Sequence, residues 1–116
     1  MGDRGNIHIK DSGVYLYSHW GGYDLPFTLQ KALLKKWRWD DHPYLTRIIF
    51  DVMTGGVVGK ETGFGISTEI CDNEYPILTV SVEDMTVSWD EHSWRFSEFV
   101  ELSEGAIREA WTGEED

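Results

Sequence analysis

The sequence has little of what would stabilise a small secreted protein or anchor a membrane protein. Cys71 is the only cysteine among 116 residues, so the chain can form neither an internal disulfide nor a cysteine-rich zinc site. No apolar run approaches the ~20 residues of a membrane span, and the first residues lack the apolar stretch of a signal peptide. We therefore expect a protein of the reducing cytoplasm, without a membrane partner.

Positive charge is also scarce. The chain has 10 Lys and Arg against 21 Asp and Glu, a formal charge of −11. Only two of these cations, Arg95 and Arg108, lie in residues 69–116, whereas residues 1–68 are nearly neutral. The electrostatic field of this negative charge repels phosphate backbones, which argues against direct nucleic-acid binding. The same field attracts basic partners. A solvated surface that aids solubility accounts for the same imbalance.

The distribution of apolar residues predicts the secondary structure. Alternation predicts two N-terminal strands, the second ending at Trp20, with Leu16 and Trp20 facing the core. Apolar residues spaced four apart predict a first helix whose buried face ends at Trp37. A second helix follows, with an apolar stripe from Leu45 to Val52 and a stop at a double glycine. Three more strands and a last helix ending at Trp111 complete the pattern.

These elements predict one α+β domain over residues 1–111. Their order is ββααβββα, which favours an antiparallel sheet of about five strands with two main helices packed on one face. We expect residues 112–116 to form a frayed acidic tail.

The second strand holds the most suggestive group of side chains. Tyr15, Tyr17 and His19 alternate and so share one face of the strand. Aromatic rings with polar tips stack on planar groups such as nucleobases, and Gly21 and Gly22 permit close approach of a ligand. The alternative is a strand face that packs against a helix or a second subunit.

Anion binding is a second theme. Gly63 and Gly65 belong to a glycine-rich loop that can aim backbone N–H groups at an anion, although its spacing differs from that of a P-loop. Lys31 and Lys35 belong to the only basic cluster, in the first helix, and with Arg4 are candidates to meet phosphate oxygens. An ordinary loop and neutralisation by the acidic half of the chain are the alternatives.

Signs of catalysis are sparse. The four histidines are scattered, without the spacing of a zinc site, and no serine lies in a nucleophile elbow. We predict neither a metal nor a cofactor, and we favour a binding protein over an enzyme. A hydrolase that uses His19 as its base is the third hypothesis.

Six stretches of the chain are MGDRGNI at 1–7, YLYSHWGG at 15–22, RWDD at 38–41, RIIF at 47–50, ETGFGIS at 61–67 and DNEYPIL at 72–78. In this order they resemble a family of small uncharacterised proteins of phages, prophages and bacteria, over residues 1–89. The resemblance implies no particular activity or site residue. The phage association implies a class of role, because small phage proteins often block host defence, by sequestering a nucleotide signal or by covering a protein surface.

The first hypothesis is therefore a non-enzymatic, anti-defence type of protein that sequesters a small nucleotide-like ligand in the host cytoplasm. A domain this small has little internal space, so we expect the pocket to lie between identical subunits of a homo-oligomer. The candidate ligand-binding residues are Arg4, Tyr15, Tyr17, His19, Gly21, Gly22, Lys31, Lys35, Gly63 and Gly65.

The second hypothesis is an acidic inhibitor that docks on a basic, nucleic-acid-binding surface of a host protein. Its carboxylates would mimic phosphates there. The candidate partner-binding residues are Asp72, Glu74, Glu83, Asp84, Asp90 and Glu91.

Overall fold

The computed structural model describes residues 3–56, 63–70 and 72–113. Within these ranges the strands are β1 (Gly5–Ile9), β2 (Val14–Ser18), β3 (Phe64–Ser67), β4 (Leu78–Ser81), β5 (Thr86–Trp89) and β6 (His92–Arg95). The helices are α1 (Leu25–Leu34), α2 (His42–Thr54), α3 (Phe96–Phe99) and α4 (Glu104–Thr112), and a 3-10 turn over Gly22–Asp24 leads into α1. None of the helices in these ranges combines the length and the apolar character needed to cross a membrane.

The six strands form one mixed sheet in the order β3-β2-β1-β4-β5-β6. The α+β class is confirmed, but the sheet is neither five-stranded nor wholly antiparallel, because β6 adds a strand and β1 pairs with β4 in parallel. Trp94 is the only apolar residue of β6, so alternation gave no signal there. The β1–β4 pairing joins residues about seventy positions apart, which local periodicity does not reveal.

One face of the sheet belongs to the hydrophobic core. Each strand pair of that face aligns apolar residues, such as Ile7 with Leu16 and with Leu78. The same core contains buried residues of α1 and α2, two helices that pack against each other. The opposite face carries half-exposed polar and aromatic side chains, namely His8, Tyr15, Tyr17, Thr79 and Ser88.

The first helix ends earlier than its apolar spacing predicts. Leu25, Leu29 and Leu33 are buried, as the spacing requires, but α1 stops at Leu34. Lys36 then adopts a left-handed backbone with φ 58°, which a right-handed helix does not accommodate. The prediction that Trp37 lies on the buried helix face is therefore wrong, and its side chain is 59% exposed.

The other helix ends follow local chemistry. The Asp41 carboxylate accepts a hydrogen bond from Tyr44 N at the start of α2, and Gly55 closes this helix in a left-handed conformation, as predicted. The last helix continues through Thr112, one residue into the predicted tail, and ends at Gly113 with φ 79°. Residues 114–116 of that tail lie outside the described residues, as do residues 57–62 of the glycine-rich loop and Cys71.

Candidate ligand-binding site

Three segments meet at one end of the sheet. Because β1 and β4 are parallel while β2 is antiparallel to β1, the starts of β1 and β4 lie beside the end of β2. This loop cluster, as we call it, consists of residues 3–6, 19–23 and 72–75. Backbone hydrogen bonds join its segments, from Asp3 N to His19 O (2.7 Å) and from Glu74 N to Arg4 O (2.8 Å).

Asp3 is the hub of the loop cluster. Its carboxylate accepts hydrogen bonds from Tyr23 N (2.9 Å) and from the Tyr75 hydroxyl. Burial and the hydrogen bond to Asp3 raise the pKa of Tyr75, so the hydroxyl keeps its proton. The Tyr75 ring stacks on Trp111 with ring centroids 5.4 Å apart. These contacts hold the loop after β2 on the start of β1.

Arg4 is engaged by carboxylates of its own chain. Its Nε lies 2.9 Å from Glu74 Oε2, and its Nη1 lies 3.2 Å from Asp72 Oδ2. The hydrogen bond from Arg4 lowers the pKa of Glu74 and so keeps this carboxylate ionised. The arginine that was predicted to bind phosphate is thus paired with two of the carboxylates that were predicted to mimic phosphate.

The three predicted rings lie outside the core, at or beside the open face of the sheet. The Tyr17 hydroxyl is 2.8 Å from His19 Nδ1, and the Tyr15 ring stacks on His8 with centroids 4.2 Å apart. All three rings are half-buried. They stay accessible in part, although the ring surface of Tyr15 and the polar tips of Tyr17 and His19 already have partners within the chain.

The predicted glycines differ in the space beside them. A side chain at Gly22 would place its Cβ 2.6 Å from Tyr75 Cε2 and 2.8 Å from Asp3 O, so the protein itself occupies that space. A Cβ at Gly21 would likewise come close to Ser18, and a Cβ at Gly63 would come close to Trp20. Only Gly65, opposite Tyr17 in the β2–β3 register, faces open space.

A cleft opens on the helix side of the sheet, where β2 ends and β3 begins. Its volume is about 260 Å³. Trp20 and Phe64 supply aromatic surface, and the other lining residues are Ser18, Gly21, Asp24, Leu25, Thr28 and Met53. Trp20 is 63% exposed, so its predicted place in the core is wrong. The physical reason is that β2 ends at Ser18, beyond which alternation no longer decides which side a residue faces.

The cleft continues along α1 into a second depression of about 290 Å³. Asp24 and Thr28 line both spaces, and Lys31 lines the second. Lys35 lies farther along, with its Nζ 5.1 Å from the centroid of the Trp37 ring. Both lysines are therefore on the helix side, across the sheet from Tyr15 and Tyr17.

The remaining acidic candidates do not form one patch. Glu83 and Asp84 lie in the turn between β4 and β5, whereas Asp90 and Glu91 lie in the turn between β5 and β6. These turns are at opposite ends of β5, about 13 Å apart for a strand of this length. The backbone N–H of Asp84 also donates a hydrogen bond to Ser81 Oγ (3.2 Å).

Sequence reasoning missed most of the cleft. The alternation of apolar residues predicted Trp20 only as a core residue. Phe64 and Met53 come from separate elements, β3 and α2. An isolated tryptophan before a double glycine was the one available signal.

Comparison of the chain with protein-family models, curated proteins and solved structures found no match, so the assignment of the site depends on its geometry.

Proposed function

We propose that this chain is a non-enzymatic binding protein that holds a small planar, nucleotide-like ligand in the cleft beside Trp20 and Phe64. The presence of an exposed tryptophan, Trp20, and a second aromatic side chain, Phe64, in one cleft is the observation that carries the proposal. Trp89 and Trp111 are buried in the same chain, whereas Trp20 is 63% exposed. Stacking of a base on an aromatic ring contributes about 1–3 kcal/mol, so an exposed indole at this position is suited to bind a base.

The size of the cleft limits what it encloses. Its volume of about 260 Å³ is just below the roughly 300–1,000 Å³ of pockets that take drug-sized ligands. A single base or a similar ring system fits this space, and the rest of the ligand then extends into the second depression, toward Lys31.

Local charge favours a phosphate at the Lys31 end. Residues 25–38 contain four Lys and Arg and no Asp or Glu, in a chain whose net charge is −11. An ammonium group at the end of a partly enclosed groove attracts and orients an anion.

The side chains that line the cleft support binding without turnover. Among the residues that the structure describes, the lining contains no histidine or cysteine, and the Ser18 hydroxyl accepts a hydrogen bond from Gly21 N (2.9 Å). His19, the predicted base of the hydrolase hypothesis, has its Nδ1 beside the Tyr17 hydroxyl instead. A general base needs hydrogen-bond reach of the group that it activates.

The resemblance to phage proteins gives such binding a biological purpose. Described residues of four of the six stretches that carry the resemblance contribute to this end of the sheet, namely residues 3–7, 15–22, 63–67 and 72–78. A small phage protein that holds a signalling nucleotide without converting it would keep that signal from the host. Sequestration therefore remains our proposal for the role.

Titration of the purified protein with adenine and guanine nucleotides, followed by calorimetry, tests the proposal. We expect Trp20→Ala to weaken binding at least 10-fold, because loss of one stacked base costs about 1–3 kcal/mol. Trp37→Ala is the matched control, since this tryptophan is 59% exposed but lies outside the cleft. Absence of binding at millimolar nucleotide, or equal losses in both variants, would contradict the proposal.

The alternative, an acidic inhibitor that docks on a basic surface, has weaker support. Arg4 engages Asp72 and Glu74, and the other four candidates are divided between the two ends of β5. Salt distinguishes the two functions. Docking through carboxylates weakens steeply as ionic strength rises, whereas a stacked ligand responds less.

A further inference from the structure

We infer that the base held in the cleft is guanine, read by the carboxylate of Asp24. This inference rests on the proposed function and specifies its ligand. Asp24 lines both the cleft and the adjoining depression, and its side chain is exposed. It precedes α1 in the position of a cap, yet its carboxylate makes no capping hydrogen bond.

The Asp24 carboxylate is available for a ligand. Within residues 3–56, 63–70 and 72–113, the structure shows no ion pair and no hydrogen bond of this side chain. Most other carboxylates near this end of the sheet are engaged, as Asp3 is by Tyr75 and Glu74 is by Arg4. An ionised carboxylate accepts hydrogen bonds through two oxygens and donates none.

Among the common bases, guanine complements this group. Its N1–H and 2-amino group are adjacent donors that point in the same direction, and two parallel donors match the two oxygens of a carboxylate. On the corresponding edges of adenine and cytosine, an amino donor lies next to a ring-nitrogen acceptor, which a carboxylate repels. Uracil offers a single N–H between two carbonyl acceptors.

The positions of Asp24 and Lys31 also suit the two ends of a nucleotide. They are seven residues apart, on one side of α1, which corresponds to about 10 Å along a helix. The carboxylate thus lies at the base end, and the ammonium group lies where a 5′-phosphate extends. The reverse orientation would set the phosphate against the Asp24 carboxylate, so this arrangement favours one orientation of the ligand.

Calorimetry with GMP, IMP and AMP at one ionic strength tests the inference. IMP differs from GMP only in lacking the 2-amino group, so it removes one of the two proposed donors. We expect GMP to bind about 10-fold more tightly than AMP, the lower end of what a bidentate contact discriminates, with IMP in between.

The variant Asp24→Asn tests the carboxylate with a side chain of nearly the same size and shape. Asn presents one donor and one acceptor, a pattern that pairs with adenine. We therefore expect Asp24→Asn to lose the preference for GMP and to bind AMP at least as tightly as the wild type does. Asp40→Asn, at an exposed position outside the cleft, should leave the preference unchanged.

Failure of the inference and failure of the proposed function give different results. Equal affinities for the three nucleotides, with loss of all three in Trp20→Ala, would overturn the role of Asp24 and retain the cleft as a nucleotide site. A preference for GMP that survives in Asp24→Asn would do the same. Absence of any nucleotide binding would overturn both.

Discussion

The loop cluster and the cleft lie at the same end of the sheet, yet they use polar and aromatic residues in opposite ways. In the loop cluster, Asp3 and Arg4 have partners within the chain, and the Tyr75 ring occupies the space beside Gly22. In the cleft, Trp20 is exposed and the Asp24 carboxylate makes no capping bond.

This difference separates architecture from binding. A buried or half-buried polar group without a partner is costly, so a chain usually satisfies such groups internally. Internal pairing of this kind explains the contacts of Asp3, Arg4, Glu74 and Tyr75 in the loop cluster. A ligand adds most where side chains still have unused surface, and here that place is the cleft.

Removal of the aromatic support beneath the loop cluster should have the largest effect. Trp111 is buried, donates a hydrogen bond from Nε1 to Gly22 O (3.0 Å) and stacks on Tyr75. We expect Trp111→Ala to lower the free energy of unfolding by about 3–5 kcal/mol, measured by urea denaturation. Trp111→Phe keeps much of the ring volume and should cost less. A loss below about 1 kcal/mol in Trp111→Ala would mean that the loop cluster does not depend on this packing.

Two of the four predicted ligand-binding glycines, Gly22 and Gly65, should respond differently to a methyl group. Gly22→Ala forces a Cβ to within 2.6 Å of the Tyr75 ring and 2.8 Å of Asp3 O, and we expect a loss of about 1–3 kcal/mol, typical of overpacking. Gly65→Ala meets no atom within 4 Å and should change stability by less than about 0.5 kcal/mol. Equal losses in the same urea experiment would contradict the distinction between filled and open space.

The ion pair of the loop cluster should make stability depend on pH. The hydrogen bond from Arg4 lowers the folded-state pKa of Glu74 below its ordinary 4.5. The unfolded state therefore binds a proton first as pH falls, and the stabilisation is present above about pH 4.5 and is lost as pH decreases through the lower folded-state value.

Comparison of wild type with Glu74→Gln isolates this contribution. We expect wild type to be the more stable protein at neutral pH, by a small amount because the pair is exposed. The difference should shrink below pH 4.5 and at high salt. A difference that stays constant down to pH 3 would show that Glu74 acts through shape and not through charge.

The smallest effect on stability is expected in the cleft. Trp20→Ala removes an exposed ring and should change the free energy of unfolding by less than about 0.5 kcal/mol, while binding of the nucleotide is lost. Trp37→Ala is again the control for exposure. A loss of several kcal/mol in Trp20→Ala alone would identify this ring as a structural element and would remove the contrast between the two regions.

Local signals predicted the elements whose ends depend on neighbouring residues. Asp41 and Gly55 bound α2 as their side chain and backbone preferences require. Alternation in β2 placed Tyr15 and Tyr17 away from the core. The same reasoning misplaced Trp20, because alternation shows which side a strand residue faces but not where the strand stops.

By itself, the sequence determined the α+β class, the main helices and the acidic charge of the chain, since each follows from composition or from spacing over a few residues. Only the tertiary structure decided that β4 returns beside β1, that Arg4 meets Asp72 and Glu74, and that Trp20 and Phe64 border one cleft. These contacts join segments that are tens of residues apart. Their free energy comes from burial and pairing across the whole domain, which no local pattern encodes.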